Sequence, residues 1–420
     1  MRGVAWAAAA VAAAGALGWA LALPREEVWP IWAVMAGLAA LAMAWVRWGP
    51  EARWALLGGA AVMRLAAVAV EAQPQLSEDW VRYAWDGWVL SQGEWPTWVV
   101  PADAAEMDLA WNPHADWMVG QMNSAQYPGV YPPAAQLIFT LPWWAGIRSP
   151  LAWWRLFQLV QALLDVAVVA GLMRLLQRAG CSERLAAAYA FHPLVLFEGV
   201  GNGHLEGWVI AAGVIAALAW PGRPRRALGW AAATVAIKWL PVLALPAWAW
   251  RRRAHWRSEG AGWLLVGGLA VAFAALAWPS MRLFLDRFEF NAGPYYAVRN
   301  AIMHWTEHNP IRWLGPAMTG LGAAGVLWSA TRARWSLAQR WAAGWGLWLA
   351  CATTVHPWYA MYLVPLGLFT GWRWPFAAAG LVLLSYGNYA PRWEGVPWEA
   401  VEWGVLIAVL AWDWARARKV

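Results

Sequence analysis

Apolar stretches follow one another along almost the whole chain, separated by short segments that carry arginine. Hydrophobic residues make up 61% of the 420 residues and charged residues only 13%, which is too apolar for a soluble protein of this length. We therefore predict an all-α polytopic membrane protein, a bundle of about 12–14 transmembrane helices. The stretches lie near residues 3–23, 28–46, 54–72, 152–173, 185–198, 207–220, 227–250, 261–278, 313–330, 341–355, 360–372, 374–388 and 398–414.

Several of these stretches are shorter than the roughly 20 residues that a perpendicular helix needs to cross a bilayer. Short or proline-broken helices are tolerated at membrane depth only where they face protein or a watery cavity. The stretch 227–250 contains Lys238 and Pro241 near its middle, and we predict two half-helices there. For the alternation of sides to hold along the chain, residues 131–147 cannot cross the membrane. We predict that they form an interfacial or re-entrant helix with both ends on one side.

The arginines set the predicted orientation. Most of the 31 basic residues fall on one alternating side of the apolar stretches, and the positive-inside rule makes that side cytoplasmic. Because topology accounts for the net charge of +7, we expect no nucleic-acid partner. The threading makes residues 73–130 a large, acidic first extracytoplasmic loop and residues 279–312 a second one, within a single domain that covers 1–420.

The cysteine content limits the possible metal chemistry. Cys181 and Cys351 are the only cysteines, so neither a disulfide framework nor a zinc cluster is expected. No His/Asp ligand set of clear spacing is present, and no metal ligand or cofactor is assigned. The paired acids of the first loop leave a divalent cation possible.

Four polar elements converge on the predicted extracytoplasmic face: residues 73–130, 198–206, 278–312 and 356–359. Each alone has a plain structural explanation, such as glycines in a tight turn, arginines at lipid headgroups or a His-Pro helix boundary. All four on one face favour a functional site. Their side chains include Glu78, Asp79, Arg82, Asp86, Asn202, His204, Glu206, Asn291, Tyr295, Arg299, His356, Trp358 and Tyr359.

The residue types in these elements complement one another. A carboxylate can take a proton from a hydroxyl nucleophile. Arginine and histidine bind phosphate, and guanidinium does so with paired hydrogen bonds. Aromatic rings offer flat faces to the C–H groups of sugars. The combination suits group transfer from a phosphorylated donor to an alcohol.

Short motifs run in order from about residue 77 to residue 365. They are Glu78-Asp79, Arg82-Tyr83-Ala84-Trp85-Asp86-Gly87, Tyr131-Pro132-Pro133-Ala134-Ala135-Gln136, His192-Pro193-Leu194, Glu198-Gly-Val-Gly-Asn-Gly-His204, Lys238-Trp239-Leu240-Pro241, Phe290-Asn291, Tyr295-Tyr296 and His356-Pro357-Trp358-Tyr359. The set resembles the C superfamily of membrane glycosyltransferases (GT-C) and, more narrowly, bacterial polyprenol-phosphate-mannose-dependent mannosyltransferases. Two positions depart from that pattern: Leu205-Glu206, where relatives often have Asn-Asp, and Trp88, where they often have arginine.

The resemblance implies an inverting hexosyltransferase of the bacterial cytoplasmic (inner) membrane, surrounded by membrane lipids, with its active site on the extracytoplasmic side. It would move a hexose, mannose in the family, from a polyprenyl-phosphate-linked donor to a glycolipid or other hydroxyl acceptor. Asp79 is the expected base, with Glu78 or Asp86 as helper. The expected substrate-binding residues are Arg82, Tyr131, Asn202, His204, Glu206, Lys238, Asn291, Tyr295, Arg299, His356, Trp358 and Tyr359.

Other functions stay open. A lipid-linked glycan flippase or transporter also uses broken helices and buried charges, although no internal repeat is found and the candidate groups lie on one predicted face. A glycan ligase or polymerase shares the same chemistry. Lys238 lies at membrane depth and needs a partner; a lipid phosphate would serve, and Asp165 is the alternative counter-ion.

Overall fold

The computed structural model describes residues 2–106, 114–276 and 278–417, so residues 107–113 of the predicted acidic loop lie outside it. The described chain is 77% helical and forms no strand, apart from one isolated bridge between Phe290 and Thr354. Its α-helices are α1 (Arg2–Leu21), α2 (Val28–Trp48), α3 (Arg53–Ala69), α4 (Asp79–Ser91), α5 (Ala115–Gln121), α6 (Pro133–Trp144), α7 (Pro150–Arg178), α8 (Ala187–Ala190), α9 (Glu206–Ala219), α10 (Pro224–Ile237), α11 (Leu245–Arg252), α12 (Trp256–Leu276), α13 (Trp278–Asp286), α14 (Gly293–Thr306), α15 (Ile311–Ala330), α16 (Leu337–Cys351), α17 (Leu363–Gly367), α18 (Trp374–Leu381) and α19 (Trp398–Ala417).

Four helices in the described ranges are long and apolar enough to cross a membrane: Gly3–Leu21, Val28–Trp48, Pro150–Arg178 and Ser258–Leu276. A fifth candidate is a bent pair, Val195–Gly201 followed by α9, whose two parts differ in direction by 104°. The prediction of an all-helical chain is confirmed, and several of its helices could span a membrane.

The chain divides into two compact units. The first contains Met1–Trp239 and Ala261–Ser280, and the second contains Leu240–Gly260 and Met281–Val420. In the first unit, α1 packs on α3, α3 on α7, α7 on α9, and α9 on α10, while α4 packs on α6. In the second unit, α15 packs on α16, and α18 packs on α17 and α19.

The predicted loop at residues 73–130 includes the helix α4, whose residues from Trp80 to Val89 are all buried. A Cβ on Gly87 would lie 2.2 Å from the carbonyl oxygen of Phe139, so the close approach of α4 to α6 requires glycine. Tyr83 stacks on the Phe139 ring with centroids 4.6 Å apart. α4 is therefore a packed helix of the first unit.

The two predicted irregular segments have clear helix boundaries. In the stretch 227–250, α10 ends at Ile237, and a 3-10 turn at Leu240–Ala244 precedes α11. In the stretch 131–147, α6 begins at Pro133, where the missing proline N–H costs nothing. Its 12 residues rise only about 18 Å, well short of the ~30 Å hydrocarbon core. The interfacial placement of α6 stays a prediction.

Candidate functional site

Asp79 is the first residue of α4 and keeps 25% of its side chain exposed. The Ser77 hydroxyl accepts a hydrogen bond of 3.2 Å from the Asp79 N–H and so fixes the start of the helix. The Tyr131 hydroxyl donates to Asp79 Oδ2 at 3.5 Å. His204 Nδ1 lies 3.7 Å from the same oxygen. A partly exposed carboxylate is thus backed by two buried polar side chains.

His204 lies between two carboxylates. Its Nε2 is 3.1 Å from Glu198 Oε2, and its Nδ1, the atom nearest Asp79, is also 3.3 Å from the Tyr83 hydroxyl. His204 and Glu198 are both fully buried. Asn202 Nδ2 donates to Glu198 Oε2 at 3.3 Å. Together with Tyr131, these side chains form what we call the Asp79 cluster.

A π-helix and a glycine turn set the backbone in front of His204. The π-helix covers Val195–Gly201, and the N–H of Asn202 donates to the carbonyl oxygen of Phe197 at 2.7 Å. Gly203 follows with φ +72°, and a Cβ at this position would clash with the indole ring of Trp154. Segments of this kind are rare and occur often at functional sites.

Lys238 has a counter-ion within the first unit. Its Nζ lies 2.5 Å from Oε1 of Glu206, the first residue of α9, whose side chain is fully buried. Asp165, the predicted alternative partner, pairs instead with Arg64 at 2.6 Å. The prediction that Asp165 could serve Lys238 is therefore wrong, because α7 directs that carboxylate to Arg64 of α3.

The two tyrosines of the cluster stay protonated. Burial raises the pKa of Tyr83 well above its ordinary value, and Tyr131, Asp79 and Glu206 raise it further. Burial also raises the pKa of Tyr131, with the negative charge of Asp79 as the next cause. Both hydroxyls therefore remain hydrogen-bond donors around neutral pH.

Glu78 precedes Asp79 in the chain but has different partners. Its Oε1 accepts a hydrogen bond of 2.8 Å from Arg25, and its Oε2 accepts one of 3.4 Å from Asn123. The Glu78 charge is thus paired with the segment that precedes α2.

Asp86 and Arg82 hold α4 in place. Asp86 is fully buried, and its two oxygens accept from Arg82 Nε at 2.8 Å and from Gln136 Nε2 at 3.0 Å. Burial raises the pKa of Asp86, while Arg82 and the hydrogen bond from Gln136 oppose the rise. Arg82 also donates to the carbonyl oxygen of Tyr127 at 2.8 Å. These contacts tie α4 to the segment that leads into α6.

The other predicted site residues lie in the second unit. Asn291 is buried with a left-handed backbone (φ +49°), and its amide donates to Glu402 Oε2 at 2.8 Å. Tyr295 and Arg299, one turn apart on α14, both bind Glu289, at 2.6 and 2.7 Å. These groups are engaged with neighbouring carboxylates.

An aromatic group surrounds His356 in the same unit. The imidazole stacks on Trp358 with centroids 4.4 Å apart and on Phe290 at 5.0 Å. The Tyr359 ring meets it edge-on at 5.4 Å. The bridge between Phe290 and the chain after α16 positions this group, since the Val355 N–H donates to the Phe290 carbonyl oxygen at 2.8 Å.

The second unit also has a cationic cavity of about 290 Å³, lined by Arg282, Asp286, Arg287 and Arg312. Arg282 pairs with Asp286 at 2.8 Å. Neither Arg287 nor Arg312 forms an ion pair with the part of the chain that the structure describes. The cavity lining is therefore net positive, which suits an anion.

The structure brings together Asp79, Tyr131, Asn202 and His204, with the pair of Glu206 and Lys238 in the same unit. Two members of the cluster, Glu198 and Tyr83, were not among the predicted site residues. Both left a signal in the sequence. Glu198 opens the glycine-rich segment that ends at His204, and Tyr83 follows Asp79 by one helical turn, which places both on one helix face.

Within residues 2–106, 114–276 and 278–417, no group of three or more His, Cys, Asp or Glu side chains is placed to hold a metal ion.

Comparison of the chain with protein-family models, with curated proteins and with solved structures gave no match. The function of the Asp79 cluster therefore has to be inferred from its own chemistry.

Proposed function

We propose that this protein is an inverting glycosyltransferase of the bacterial cytoplasmic membrane. It moves a hexose, with mannose as the first choice, from a polyprenyl-phosphate-linked donor to a hydroxyl acceptor on the extracytoplasmic face. A GT-C-type bundle of about 12–14 transmembrane helices belongs to the same proposal. The observation that carries it is Asp79, a partly exposed carboxylate with buried hydrogen-bonding groups behind it.

Asp79 has the features of a general base. Its exposed side is open to an acceptor hydroxyl, while Tyr131 and His204 hold the carboxylate from the protein side. Asp79 takes the hydroxyl proton, the acceptor oxygen bonds to the anomeric carbon, and the bond from that carbon to the phosphate oxygen breaks. Polyprenyl phosphate leaves with the electron pair, and attack opposite the leaving group inverts the anomeric centre.

The geometry favours Asp79 over the other acids of α4. Both oxygens of Asp86 are used inside the protein, and Glu78 is paired with Arg25. A base must reach the proton that it removes, which excludes the fully buried Asp86. Glu78 keeps 32% of its side chain exposed, but its charge is already paired with Arg25. Glu78 and Asp86 therefore help by holding the start and the middle of α4.

The phosphate and the sugar need other groups. Lys238 is already neutralised by Glu206, which makes it a weaker candidate for binding a lipid phosphate. The second unit, taken by itself, has two features of related chemistry. The cavity with Arg287 and Arg312 is net positive and suits an anion, and the rings of Trp358 and Tyr359 beside His356 are flat faces of the kind on which a sugar can stack.

The test is an assay of purified protein with polyprenyl-phosphate-linked mannose, glucose and arabinose and a total membrane lipid extract as acceptor. We expect a new glycolipid, identified by mass, one hexose heavier than its acceptor. A flippase would move a labelled lipid across vesicles without forming a glycosidic bond. A ligase or polymerase would add whole glycan chains.

The Asp79→Asn variant tests the mechanism. An amide of the same shape cannot accept the proton, so turnover should fall about 10²–10⁴-fold while donor binding and unfolding temperature stay close to wild type. Asp86→Asn is the comparison, and it should lower stability more than turnover per folded molecule. Wild-type turnover of Asp79→Asn would refute the assignment of the base.

A further inference from the structure

We infer that the cationic cavity of the second unit is a binding site for a phosphomonoester, a phosphate group with two negative charges and one organic substituent. The cavity encloses about 290 Å³ and is lined by Arg282, Asp286, Arg287 and Arg312. That volume is close to the lower end of the ~300–1,000 Å³ range of small-molecule sites. The inference goes beyond the proposed reaction, because none of these four residues belongs to the Asp79 cluster.

The backbone around the cavity is held by close packing. A Cβ on Gly315 of α15 would clash with the carbonyl oxygen of Leu285 in α13, and it would lie 3.3 Å from the methyl group of Thr353. The helices α13 and α15 and the segment after α16 therefore meet at this glycine. Arg312 precedes Gly315 by three residues, and Arg287 follows Leu285 by two. Both arginines thus extend from backbone that is in contact across the cavity wall.

The cavity lining has two positive charges that no carboxylate neutralises. Arg282 is paired with Asp286, whose Oδ2 lies 2.8 Å from the arginine Nε. Within residues 2–106, 114–276 and 278–417, neither Arg287 nor Arg312 forms an ion pair. A phosphomonoester carries a charge of about −1.5 to −2 at pH 7, whereas a phosphodiester carries a single negative charge. The two unpaired guanidinium groups therefore match the monoester, and each can bind two of its oxygens at once.

The peptide dipoles beside the cavity also favour an anion. Arg312 is the second residue of α15, so the positive end of this 20-residue helix adjoins the cavity. Carbonyl oxygens near the end of α13 would repel an anion, but two of them already accept hydrogen bonds. Phe284 accepts from the Thr353 hydroxyl at 2.8 Å, and Phe288 accepts from the Thr354 hydroxyl at 2.9 Å. The negative end of α13 is thus partly satisfied by the protein itself.

Calorimetric titration of the purified full-length protein in a non-ionic detergent tests the preference for two charges. Dioctanoyl phosphatidic acid supplies a phosphomonoester, and dioctanoyl phosphatidylglycerol supplies a phosphodiester on the same acyl chains. We expect phosphatidic acid to bind roughly 10-fold more tightly, because its second negative charge strengthens the hydrogen bonds from the guanidinium groups.

The double variant Arg287→Gln/Arg312→Gln tests the site itself. We expect its affinity for phosphatidic acid to fall roughly 10- to 100-fold and its unfolding temperature to stay close to wild type. Arg334→Gln/Arg392→Gln is the matched control, because it removes the same charge from two exposed arginines of the same unit that do not line the cavity. It should bind as wild type. Arg287→Lys/Arg312→Lys keeps the charge without the paired hydrogen bonds, should bind with intermediate affinity, and decides the question if the glutamine variant unfolds more easily.

Three results would overturn the inference. They are equal affinities of the wild type for the two lipids, equal losses of affinity in the two glutamine variants, and no binding of phosphatidic acid.

Glycerol 3-phosphate identifies the source of the phosphate. If it binds as tightly as phosphatidic acid, the ligand is a soluble phosphomonoester. If phosphatidic acid binds much more tightly, the ligand is a lipid headgroup. All these readouts are binding constants, so their failure leaves the transferase assignment untouched, which is tested by the turnover of Asp79→Asn.

Discussion

Among the individual residues, Glu206 and Lys238 show why an ion pair inside an apolar protein is hard to dissect by single changes. The two charges are 2.5 Å apart, and the Glu206 side chain has no exposed surface. Removal of one partner leaves the other charge buried without compensation, whereas removal of both leaves none. The pair therefore has to be tested as a unit.

We predict that Glu206→Gln lowers the free energy of unfolding by about 3–5 kcal/mol. The double variant Glu206→Gln/Lys238→Met should recover most of that loss. Denaturant-driven unfolding in detergent measures both. A single variant as stable as wild type would show that Lys238 finds another counter-ion.

The two buried tyrosines make the stability of the folded protein depend on pH in the alkaline range. Tyr83 and Tyr131 have pKa values raised above the ordinary tyrosine value of about 10 in the folded state. Their contribution to stability is therefore complete below that pH and is lost as pH rises through the folded-state values. Tyr131→Phe should flatten the loss of stability above pH ~10. The tyrosinate absorbance that Tyr131→Phe removes should appear in wild type only with unfolding, and its appearance well before unfolding would contradict the prediction.

At the scale of elements, the packing of α4 on α6 decides where Asp79 lies. Gly87 allows the two backbones to approach, and the pair of Arg82 and Asp86 neutralises the charges that α4 buries. The same packing brings Tyr131, just before α6, to the Asp79 carboxylate.

Gly87→Ala should therefore disturb the site from a distance. The new Cβ would meet backbone, which cannot move aside as a side chain can, so we expect a loss of about 1–3 kcal/mol in stability and weaker turnover. Gly58→Ala in α3 is the control, because a Cβ there meets nothing within 4 Å. The change in unfolding temperature relative to wild type should be clearly larger for Gly87→Ala than for Gly58→Ala, or opposite in sign. Equal changes in the two variants would contradict the packing argument.

Sequence patterns predicted part of this arrangement. Hydropathy predicted the helical class and the break beside Lys238. The order of the polar motifs predicted Asp79, Tyr131, Asn202 and His204 as site residues. The burial of α4 could not be predicted, because its charged residues lower the local hydropathy. Arg82 and Asp86 neutralise each other one turn apart, and this pairing offsets the free energy of burying their charges only once the chain has folded. The partner of Lys238 was missed for a similar reason, since the meeting of two helix ends is a tertiary contact.

For the whole molecule, the orientation in the membrane is the prediction that everything else depends on. The arginine distribution predicts that residues 73–130 and 279–312 lie outside. Single cysteines test this in a background without Cys181 and Cys351. Exposed positions in each region are available.

Gln92→Cys and Ala301→Cys should react with an impermeant thiol reagent in intact cells. Ala333→Cys, between two arginines of a predicted cytoplasmic segment, should react only after lysis. The reverse pattern would move the Asp79 cluster to the cytoplasmic side and exclude a donor in the outer leaflet.

The π-helix at Val195–Gly201 makes the length of this segment matter more than its composition. A π-turn holds one residue more than an α-turn, so deletion of Val200 would let the segment close as an ordinary α-helix. Each residue of an α-helix turns by about 100°, and the deletion would swing Glu198 away from His204. Insertions and deletions within this interval cannot be absorbed. Any homologue that keeps this reaction is thus expected to keep the same interval from its glutamate to its histidine.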